Sequence, residues 1–489
     1  MIDPQAAAAA RERKILVFSL LGLAVFLVLQ ALLLRSHVKG DTRPPAWDQA
    51  IHLEIALDYK EALAAGRLSD AFFLAPKPGM PPFPPAYHLA LTRAYASPDP
   101  AHAALWVNWF YAALLAVSVF FIAWRFRPDD TALAVAIVFT GAPAVQDMVS
   151  TQLIDLPVAA CAAAAYWALL SSERFTRWGP SLLFGLLHAL GMLHKWSFFS
   201  YMIPAYFIAL REVSYRPLIV LSSVALSAAL SAPWYVANIA LLPSRLVQAS
   251  SDFAIPFWKS GAWSTYLRVS LEQLGPLVAL FGWVALLVPQ YRRRREDGDI
   301  MLAWALIAYV FWTIVPNRQF RFLLPGLPPV AVALASAFPR QLVWTLAVVQ
   351  LFSFVNFTKG WVGPLEIPLP YQSLTFFVNA PPAAQDWRIE EILRAVDGAR
   401  DPARPISNVT LVANDTRFNA PTFHWSQRRL GLEKIRMRGV NSRLCELSEF
   451  LILKDGFLGP STVISGLPEA ATQVKASNSW FARAYEQIK

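Results

Sequence analysis

Long apolar runs alternate with short polar segments along most of the chain. At about 1.5 Å per residue, runs of this length approach or cross a hydrocarbon core of roughly 30 Å as helices. Backbone groups inside a bilayer must be hydrogen-bonded within their own segment, which favours helices over open strands. The pattern predicts a polytopic α-helical membrane protein. Its eleven predicted spans are residues 15–34, 103–124, 131–149, 153–170, 180–193, 197–210, 217–241, 267–288, 300–315, 322–338 and 342–357.

Basic residues recur in every second loop between these runs. Loops that face the cytoplasm carry an excess of Lys and Arg. The predicted cytoplasmic set is Arg125, Arg127, Arg174, Arg177, Arg211, Arg216, the run 292–295 and Arg340. The first run follows further basic residues and lacks a small-residue cleavage site, so it is predicted to be a retained helix with a cytoplasmic N-terminus. The long first loop, about 35–102, the loop 243–266 and the tail after Lys359 are then external.

The composition of the chain changes after the last run. Strand-like stretches at 408–413 and 450–453, with helical patterning at 389–396, predict a small C-terminal α/β domain outside the cytoplasm. The predicted division is a transmembrane domain over 1–358 and a soluble domain over 359–489.

Composition supports the membrane class and excludes others. Of 489 residues, 56% are hydrophobic and 16% are charged, and the mean hydropathy is +0.40. The net charge of +10 comes mostly from loop clusters, and no face interleaves basic and aromatic residues, so no nucleic-acid partner is predicted. Two cysteines predict neither a disulfide framework nor a metal site.

The first external loop carries the most informative polar residues. Asp48 follows Pro44, Pro45 and Trp47, where a helix is predicted to begin. One interpretation is structural, because Asp accepts hydrogen bonds from the unpaired N–H groups of a first turn. The other is catalytic, because a carboxylate can take the proton of an attacking hydroxyl. Trp47 is more typical of an anchor at the membrane interface.

Further ionisable residues collect at the same predicted membrane face. Asp155 precedes the fourth span, His194 and Lys195 follow the fifth, and Arg318 and Arg321 precede the tenth. Each charge alone can be explained by a side chain that reaches towards the interface. Together they also fit a site that activates a hydroxyl and holds a departing phosphate, which needs cations or a metal.

Several motifs in this order resemble the GT-C class of membrane glycosyltransferases, specifically the protein O-mannosyltransferase and aminoarabinose transferase relatives. The resemblance covers about residues 47–335. It rests on Asp48 with Glu54-Ile55-Ala56, on Phe83-Pro84-Pro85-Ala86-Tyr87, Asp155-Leu156-Pro157, His194-Lys195, Ala232-Pro233-Trp234-Tyr235 and Arg318-Gln319-Phe320-Arg321-Phe322-Leu323-Leu324-Pro325.

The resemblance implies a GT-C fold and an inverting enzyme that takes a sugar from a polyprenyl phosphate carrier. Asp48 would be the catalytic base, Asp155 would lie nearby, and a cavity would open laterally to lipid. The implied partners are the donor, membrane lipid and an acceptor hydroxyl or phosphate on a protein, lipid or glycan. The implied location is the inner membrane of a bacterium, with an extracytoplasmic active site.

Two positions depart from the family pattern. Gln49 stands where the family usually has a glutamate, which weakens the prediction of a metal ion bound by this loop. A divalent metal is compatible with the sequence, with Asp48 as its candidate ligand. The sequence requires no cofactor. Phe83 stands where some relatives have a lysine. The predicted phosphate- and substrate-binding residues are therefore Lys195, Arg318, Arg321, Lys77, Glu54, His194 and Tyr87.

A transporter or flippase for a lipid-linked glycan is the main alternative, and a scaffold without catalysis is a weaker one. Transporters usually place charges near the bilayer midplane and show repeated halves. The predicted spans lack charges at their centres, and the second half of the chain does not repeat the first loop. These features favour the enzyme.

Overall fold

The computed structural model of the chain describes residues 4–73, 83–243, 255–289, 294–369, 372–439, 448–461, 464 and 466–488. The chain folds into two compact units. The helical unit comprises Met1–Lys39 and Tyr59–Pro382, and the C-terminal unit comprises Gly40–Asp58 and Ala383–Lys489.

The helical unit consists mainly of α-helices and ends in a β-hairpin. Its helices are α1 (Pro4–Gly40), the end of α2 (Trp47–Ala64), α3 (Leu68–Phe72), α4 (Ala86–Leu91), α5 (Pro100–Phe126), α6 (Thr131–Thr140), α7 (Pro143–Val149), α8 (Asp155–Ser171), α9 (Trp178–His194), α10 (Phe199–Glu212), α11 (Pro217–Asn238), α12 (Ala262–Leu274), α13 (Pro276–Leu287), α14 (Arg295–Ile314), α15 (Pro328–Ala337) and α16 (Arg340–Lys359). The hairpin pairs β1 (Leu365–Leu369) with β2 (Gln372–Phe376) in antiparallel register.

Each predicted apolar run falls mostly on helix. The length and apolar composition of these helices show an integral membrane protein. Among the described residues, five helices (α1, α5, α11, α14 and α16) are long and apolar enough to cross a membrane, or up to seven segments if each of two bent pairs is one span. The pairs are α6 with α7, bent by 61°, and Phe320–Gly326 with α15, bent by 45°. Helices α8 and α13 are apolar but shorter. The count of eleven spans stays a prediction.

Glycine and proline divide two of the predicted spans. The run 267–288 separates into α12 and α13 at Gly275, whose φ of 86° is left-handed, and Pro276 begins the second helix without a backbone donor. The run 131–149 bends after Gly141, where Pro143 begins α7. Hydropathy alone does not report these breaks, because both halves remain apolar.

Both bent pairs extend along α5, whose 27 residues span about 40 Å. At one end of α5, Gln152 Nε2 donates to Ala101 O at 2.6 Å, close in sequence to Asp155. At the other end, Arg127 Nη1 donates to Phe338 O at 3.0 Å, directly after α15. Because Arg321 contacts Asp155, the second pair begins near one end of α5 and finishes near the other.

The core of the helical unit is dense around α8. Its run of small residues from Ala159 to Ala165 is fully buried, and α8 packs against both α5 and α9. Small side chains let helix backbones approach closely within a membrane. Large apolar side chains such as Phe18, Leu218 and Phe207 are instead exposed on the outside of α1, α11 and α10, as expected for surfaces that face lipid.

At the C-terminal end of α8, far from Asp155, ion pairs join the start of α14 to the end of α5 and to the loop after α8. Arg125 Nε lies 2.8 Å from Asp297 Oδ2, and Arg174 Nη2 lies 2.5 Å from Glu296 Oε2. A polar cavity of about 510 Å³ is lined by these residues together with Arg211, Glu212 and Arg216. Arginines predicted to face the cytoplasm thus lie together, whereas the membrane face to which they belong stays a prediction.

The C-terminal unit is a small α/β fold. Its elements are the start of α2, then α17 (Ile389–Ala399), β3 (Ser407–Val412), α18 (Ala420–Arg429), β4 (Ile435–Gly439), β5 (Phe450–Leu453), α19 (Leu467–Lys475) and α20 (Trp480–Ala484). The three strands are parallel in the order β4-β3-β5. The core joins α17, α18 and the sheet through Leu393, Val409, Leu411, Phe423 and Ile435.

The compact units have different boundaries from the predicted division at 358/359. Residues 40–58 of the first loop group with the C-terminal unit, where Thr42 N donates to Ala383 O at 3.1 Å. Residues after α16 group with the helical unit, because β2 packs against α12 and α13. The helix α2 is shared, with its first part in the C-terminal unit and its last turns in the helical unit.

Candidate active site

A buried carboxylate contacts two cations at the start of α8. Lys195 Nζ lies 2.7 Å from Asp155 Oδ1, and Arg321 Nε lies 3.3 Å from Asp155 Oδ2. The Asp155 side chain is 3% exposed, and those of Lys195 and Arg321 are 12% and 20% exposed. Burying a charge is costly unless an opposite charge accompanies it. These three residues, which we call the ion-pair cluster, carry a formal charge of about +1.

Helix ends position two members of the ion-pair cluster. Asp155 begins α8, where the helix dipole and unpaired N–H groups stabilise a carboxylate. Lys195 directly follows α9, at the end that favours a cation. The chain then turns back into a 3₁₀ helix, Trp196–Phe198. A Cβ atom added at Gly191 would overlap the ring of Phe198, so this turn requires glycine there.

Side chains from two other helices hold the segment that carries Arg321. Tyr201 Oη donates to Phe322 O at 2.5 Å, and Gln273 Nε2 donates to Phe320 O at 2.5 Å. Lys195 Nζ lies 4.4 Å from the centre of the Phe322 ring, a cation–π contact. The sequence-based site does not include Tyr201, Gln273 and Phe322; polar side chains within apolar runs were the available signal for the first two.

Arg318 lies in the same loop and is half-buried. Its Nη2 donates to Thr313 O at 2.7 Å, at the end of α14. Its Nε and Nη1 atoms are buried without a hydrogen-bond partner among the described residues. Although burial lowers the pKa of Arg318, a guanidinium stays protonated at neutral pH. Arg318 therefore offers two donor nitrogens to an anionic ligand.

Tyr87 lies within the core rather than on an open surface. Its hydroxyl donates to Asn108 Oδ1 at 2.9 Å, and Asn108 Nδ2 donates to Met148 O at 2.9 Å. Burial raises the pKa of Tyr87 well above its ordinary value, and the charge of Asp155 acts in the same direction. The phenol is thus neutral and within electrostatic range of Asp155. Its position links α4, α5 and the segment that precedes Asp155.

His194 directly precedes Lys195 in the sequence and is fully buried. Both of its ring nitrogens have hydrogen-bond partners. Nδ1 lies 2.6 Å from Leu190 O, and Nε2 lies 2.7 Å from Tyr111 Oη. A carbonyl only accepts, so Nδ1 carries the proton and Nε2 accepts from the tyrosine. His194 consequently packs the end of α9 and has no ring nitrogen left for a substrate.

Asp48 belongs to the C-terminal unit, at the second residue of α2. Because the helix begins at Trp47, Asp48 lies within its first turn rather than before it. Gln49 Oε1 instead accepts from Ala46 N at 3.3 Å, which resembles the return bond of a capping box. The Asp48 side chain is half-buried.

Glu54 lies on the same helix and contacts another part of the C-terminal unit. Its Oε2 lies 2.7 Å from His424 Nδ1, and its Oε1 lies 3.4 Å from Arg428 Nη1. The carboxylate is 1% exposed. This pairing joins residues 370 positions apart, and sequence pattern gives no signal for it. Lys77 lies outside the described residues.

The ion-pair cluster has the charge and donors of a phosphate site. Lys195 and Arg321 bind a carboxylate oxygen each, in the way that they would bind phosphate oxygens. Within the described part of the chain, no three His, Cys, Asp or Glu side chains come together as metal ligands. The two cations of the cluster, Lys195 and Arg321, can hold an anion.

The chain is similar in sequence to two transferases, although no protein-family model matches it. It is 28% identical over 255 residues to undecaprenyl phosphate-alpha-4-amino-4-deoxy-L-arabinose arabinosyl transferase 1 of Sodalis glossinidius, covering 46% of this chain and 43% of that protein. It is 25% identical over 250 residues to the undecaprenyl phosphate-alpha-4-amino-4-deoxy-L-arabinose arabinosyl transferase of Erwinia tasmaniensis, covering 46% and 44%. The matches span less than half the length of either relative.

The fold is similar to that of a solved membrane protein. The crystal structure of ArnT from Cupriavidus metallidurans bound to undecaprenyl phosphate matches with a TM-score of 0.56 over 85% of this chain and 86% of that chain, at 14% identity. Its apo state matches with a TM-score of 0.51 over 68% and 63%, at 16% identity. At such identities the similarity concerns the fold. It confirms the predicted fold class, and the relatives confirm the predicted resemblance to aminoarabinose transferases.

Proposed function

We propose that the chain is an inverting glycosyltransferase that takes a sugar from a polyprenyl phosphate carrier at the extracytoplasmic face of a bacterial inner membrane. The observation that carries this proposal is the ion-pair cluster, because two cations lie together on a fold shared with a protein crystallised with undecaprenyl phosphate. The relatives are named as transferases of 4-amino-4-deoxy-L-arabinose. An aminopentose is therefore the first donor sugar to test.

The chemistry of the leaving group matches the cluster. A sugar joined to polyprenyl phosphate is a phosphodiester with one negative charge. When the bond between the anomeric carbon and the phosphate oxygen breaks, the electron pair stays on that oxygen and the phosphate charge grows towards −2. Lys195 and Arg321 stabilise this developing charge, with Arg318 as a further candidate. Asp155 holds Lys195 and Arg321 together between turnovers.

The acceptor hydroxyl attacks the anomeric carbon from the face opposite the leaving phosphate, which inverts the configuration. Its proton must pass to a base as the new bond forms. We assign this role to Asp48, because it matches the aspartate of the family motif. The acceptor, on a protein, lipid or glycan, is not distinguished by these residues.

Donor turnover tests the proposal directly. The purified protein in liposomes is given undecaprenyl phosphate 4-amino-4-deoxy-L-arabinose and a bacterial cell-envelope extract that contains lipid, glycan and protein acceptors. We expect release of undecaprenyl phosphate together with an extract component heavier by one aminopentose. An intact donor that only changes bilayer leaflet would favour the flippase, and an intact donor that stays in place would refute both.

Binding of undecaprenyl phosphate tests the cation assignment separately. Each charge-assisted contact contributes about 1.5 to 3 kcal/mol, so Lys195→Ala and Arg321→Ala should each weaken binding about ten- to hundredfold. Arg340→Ala is the control, because Arg340 pairs with Asp130 at the distant end of α5. Unchanged affinity in both cluster variants would remove the ion-pair cluster from the donor site.

A further inference from the structure

The carboxyl edge of the sheet in the C-terminal unit has the form of a ligand site. The chain passes from the central strand β3 to β4 on one side of it, and then to β5 on the other side. The direction in which strands are added therefore reverses at β3. In open parallel sheets, ligands bind outside the carboxyl ends of the strands where such a change occurs. In this sheet, Asn414 and Asp415 lie just after the end of β3, and Lys454 lies just after the end of β5.

The chain's own first loop contacts this edge and the loop that follows it. Trp47 Nε1 donates to Asn414 Oδ1 at 2.8 Å. Arg417 Nη1 donates to Pro44 O at 2.5 Å, and Thr422 Oγ1 donates to Pro45 O at 2.9 Å. Prolines have no backbone donor, so their carbonyls are the backbone groups through which this segment can be held. The segment 44–47 therefore contacts the edge where such a fold would bind a ligand.

The residues that hold this segment are themselves rigidly placed. Asn419 Oδ1 accepts from Thr422 N at 3.0 Å, which caps α18. Asn419 Nδ2 donates to Asp415 O at 3.0 Å and to Thr416 O at 2.9 Å. Asn419 and Thr422 are both fully buried. The contacts to the first loop thus come from an ordered turn between β3 and α18.

A second set of contacts holds α2 further along. Glu54 and Asp58 lie four residues apart, on one face of the helix. They meet His424 and Arg428, which are likewise four residues apart on α18. Arg428 Nη1 lies 2.6 Å from Asp58 Oδ1, and His424 Nδ1 lies 2.7 Å from Glu54 Oε2. Asp48 lies between the two sets of contacts.

We propose that the C-terminal unit positions the catalytic base, with Asn414 and Thr422 as positioning residues that hold the segment from Pro44 to Trp47 and so orient Asp48. This inference rests on the proposed function, in which Asp48 accepts the acceptor proton. It gives the C-terminal unit a role in catalysis that does not require it to bind the acceptor.

Paired substitutions separate positioning from folding. Asn414→Leu removes one hydrogen bond to the first loop. Thr422→Val removes the hydroxyl that lies 2.9 Å from both Pro45 O and Asn419 Oδ1. In each variant kcat should fall about five- to tenfold. The affinity for undecaprenyl phosphate should stay unchanged, because these residues do not belong to the ion-pair cluster. Thr422→Ser keeps the hydroxyl and Asn414→Asp keeps the acceptor oxygen, so both should restore kcat.

Thr410→Val is the matched control for Thr422→Val. Thr410 lies on β3 in the same unit, and its hydroxyl is within 2.5 Å of Ser448 Oγ. Its kcat should equal that of the wild type. The inference is overturned if Thr422→Val and Asn414→Leu keep wild-type kcat, or if Thr410→Val lowers kcat equally.

Hydrogen exchange separates failure of this inference from failure of the proposed function. Amide exchange over residues 47–58 should rise at least about tenfold in Thr422→Val and Asn414→Leu, and not in Thr410→Val. Equal exchange in all three would overturn the positioning role whether or not the wild type transfers sugar. If the wild type does not transfer sugar but the variants show the expected rise in exchange, the proposed function is refuted. The conclusion that Asn414 and Thr422 hold residues 47–58 in place would then still stand.

Discussion

At the scale of single residues, the two candidate catalytic carboxylates differ in their surroundings. Asp155 is buried and contacts Lys195 and Arg321, so its carboxylate is the counter-charge of two cations. Asp48 lies in the first turn of α2 and is half-buried. These contacts favour Asp155 as the residue that holds the two cations. Asp48 is proposed as the proton acceptor because it matches the aspartate of the family motif.

Asp48→Asn tests the second assignment, because it keeps the shape of the side chain and removes its charge. We expect kcat to fall at least about a hundredfold, while the affinity for undecaprenyl phosphate and the melting temperature stay near those of the wild type. Asp70→Asn is the control, since Asp70 is an exposed carboxylate in the same predicted loop. Transfer within a few-fold of wild type would shift the base to Glu54 or Asp155.

Asp155→Asn tests whether Asp155 only holds the two cations. The test is whether the affinity for undecaprenyl phosphate rises or falls. The formal charge of the ion-pair cluster changes from about +1 to +2, so undecaprenyl phosphate should bind as tightly as in the wild type or more tightly, the opposite of Lys195→Ala. Stability should fall by roughly 1 to 3 kcal/mol, measured by denaturation in detergent.

Asp297→Asn separates these two effects. Asp297 pairs with Arg125 at the other end of the helices, so its loss should lower stability similarly and leave phosphate affinity unchanged. Weaker phosphate binding in Asp155→Asn would mean that the geometry of the two cations, rather than their net charge, limits binding.

At the scale of elements, the turn between α9 and α10 determines where Lys195 lies. Gly191→Ala places a methyl group against the Phe198 ring, so we expect a loss of about 1 to 3 kcal/mol in stability and weaker binding of undecaprenyl phosphate. Gly179→Ala is the matched control on the same helix, because no atom lies within 4 Å of its added Cβ. Equal stability and affinity in the two variants would show that the turn tolerates the methyl group.

Sequence pattern predicts the helices of this chain but not every contact between them. Hydropathy located the helices because contact with lipid requires apolar side chains on every spanning segment. Alternation of charged loops predicted that Asp155, Lys195 and Arg321 share one end of the bundle, and the structure brings them into contact. The bonds from Tyr201 and Gln273 to the Arg321 segment depend on packing between distant helices, which a local pattern does not contain.

The placement of Glu54 illustrates the same limit. Its helix lies in a predicted external loop, which is compatible with a substrate contact. Its actual partners, His424 and Arg428, lie about 370 residues later in the chain. Only the folded C-terminal unit brings these residues together.

At the scale of the whole molecule, the bent pair formed by Phe320–Gly326 and α15 determines on which side the tail lies. A re-entrant pair would return to the face from which it entered, whereas a broken span would cross. The pair starts near the end of α5 that carries Ala101, because Arg321 contacts Asp155 and Gln152 donates to Ala101 O. It finishes near the other end of α5, because Arg127 donates to Phe338 O. We therefore expect the pair to cross the helical unit as a broken span.

Crossing by this pair fixes the parity of the chain after residue 295. Three segments then separate the loop 292–295 from the tail, namely α14, the bent pair and α16. A reporter inserted in that loop should be cytoplasmic, because of its basic residues, and one fused after Lys489 should be extracytoplasmic. A third reporter, inserted beside Asp129, should match the loop 292–295, because Arg125 and Asp297 pair at that end. If the tail reporter instead shares a side with the other two, the bent pair is re-entrant and the C-terminal unit, with Asp48, lies in the cytoplasm.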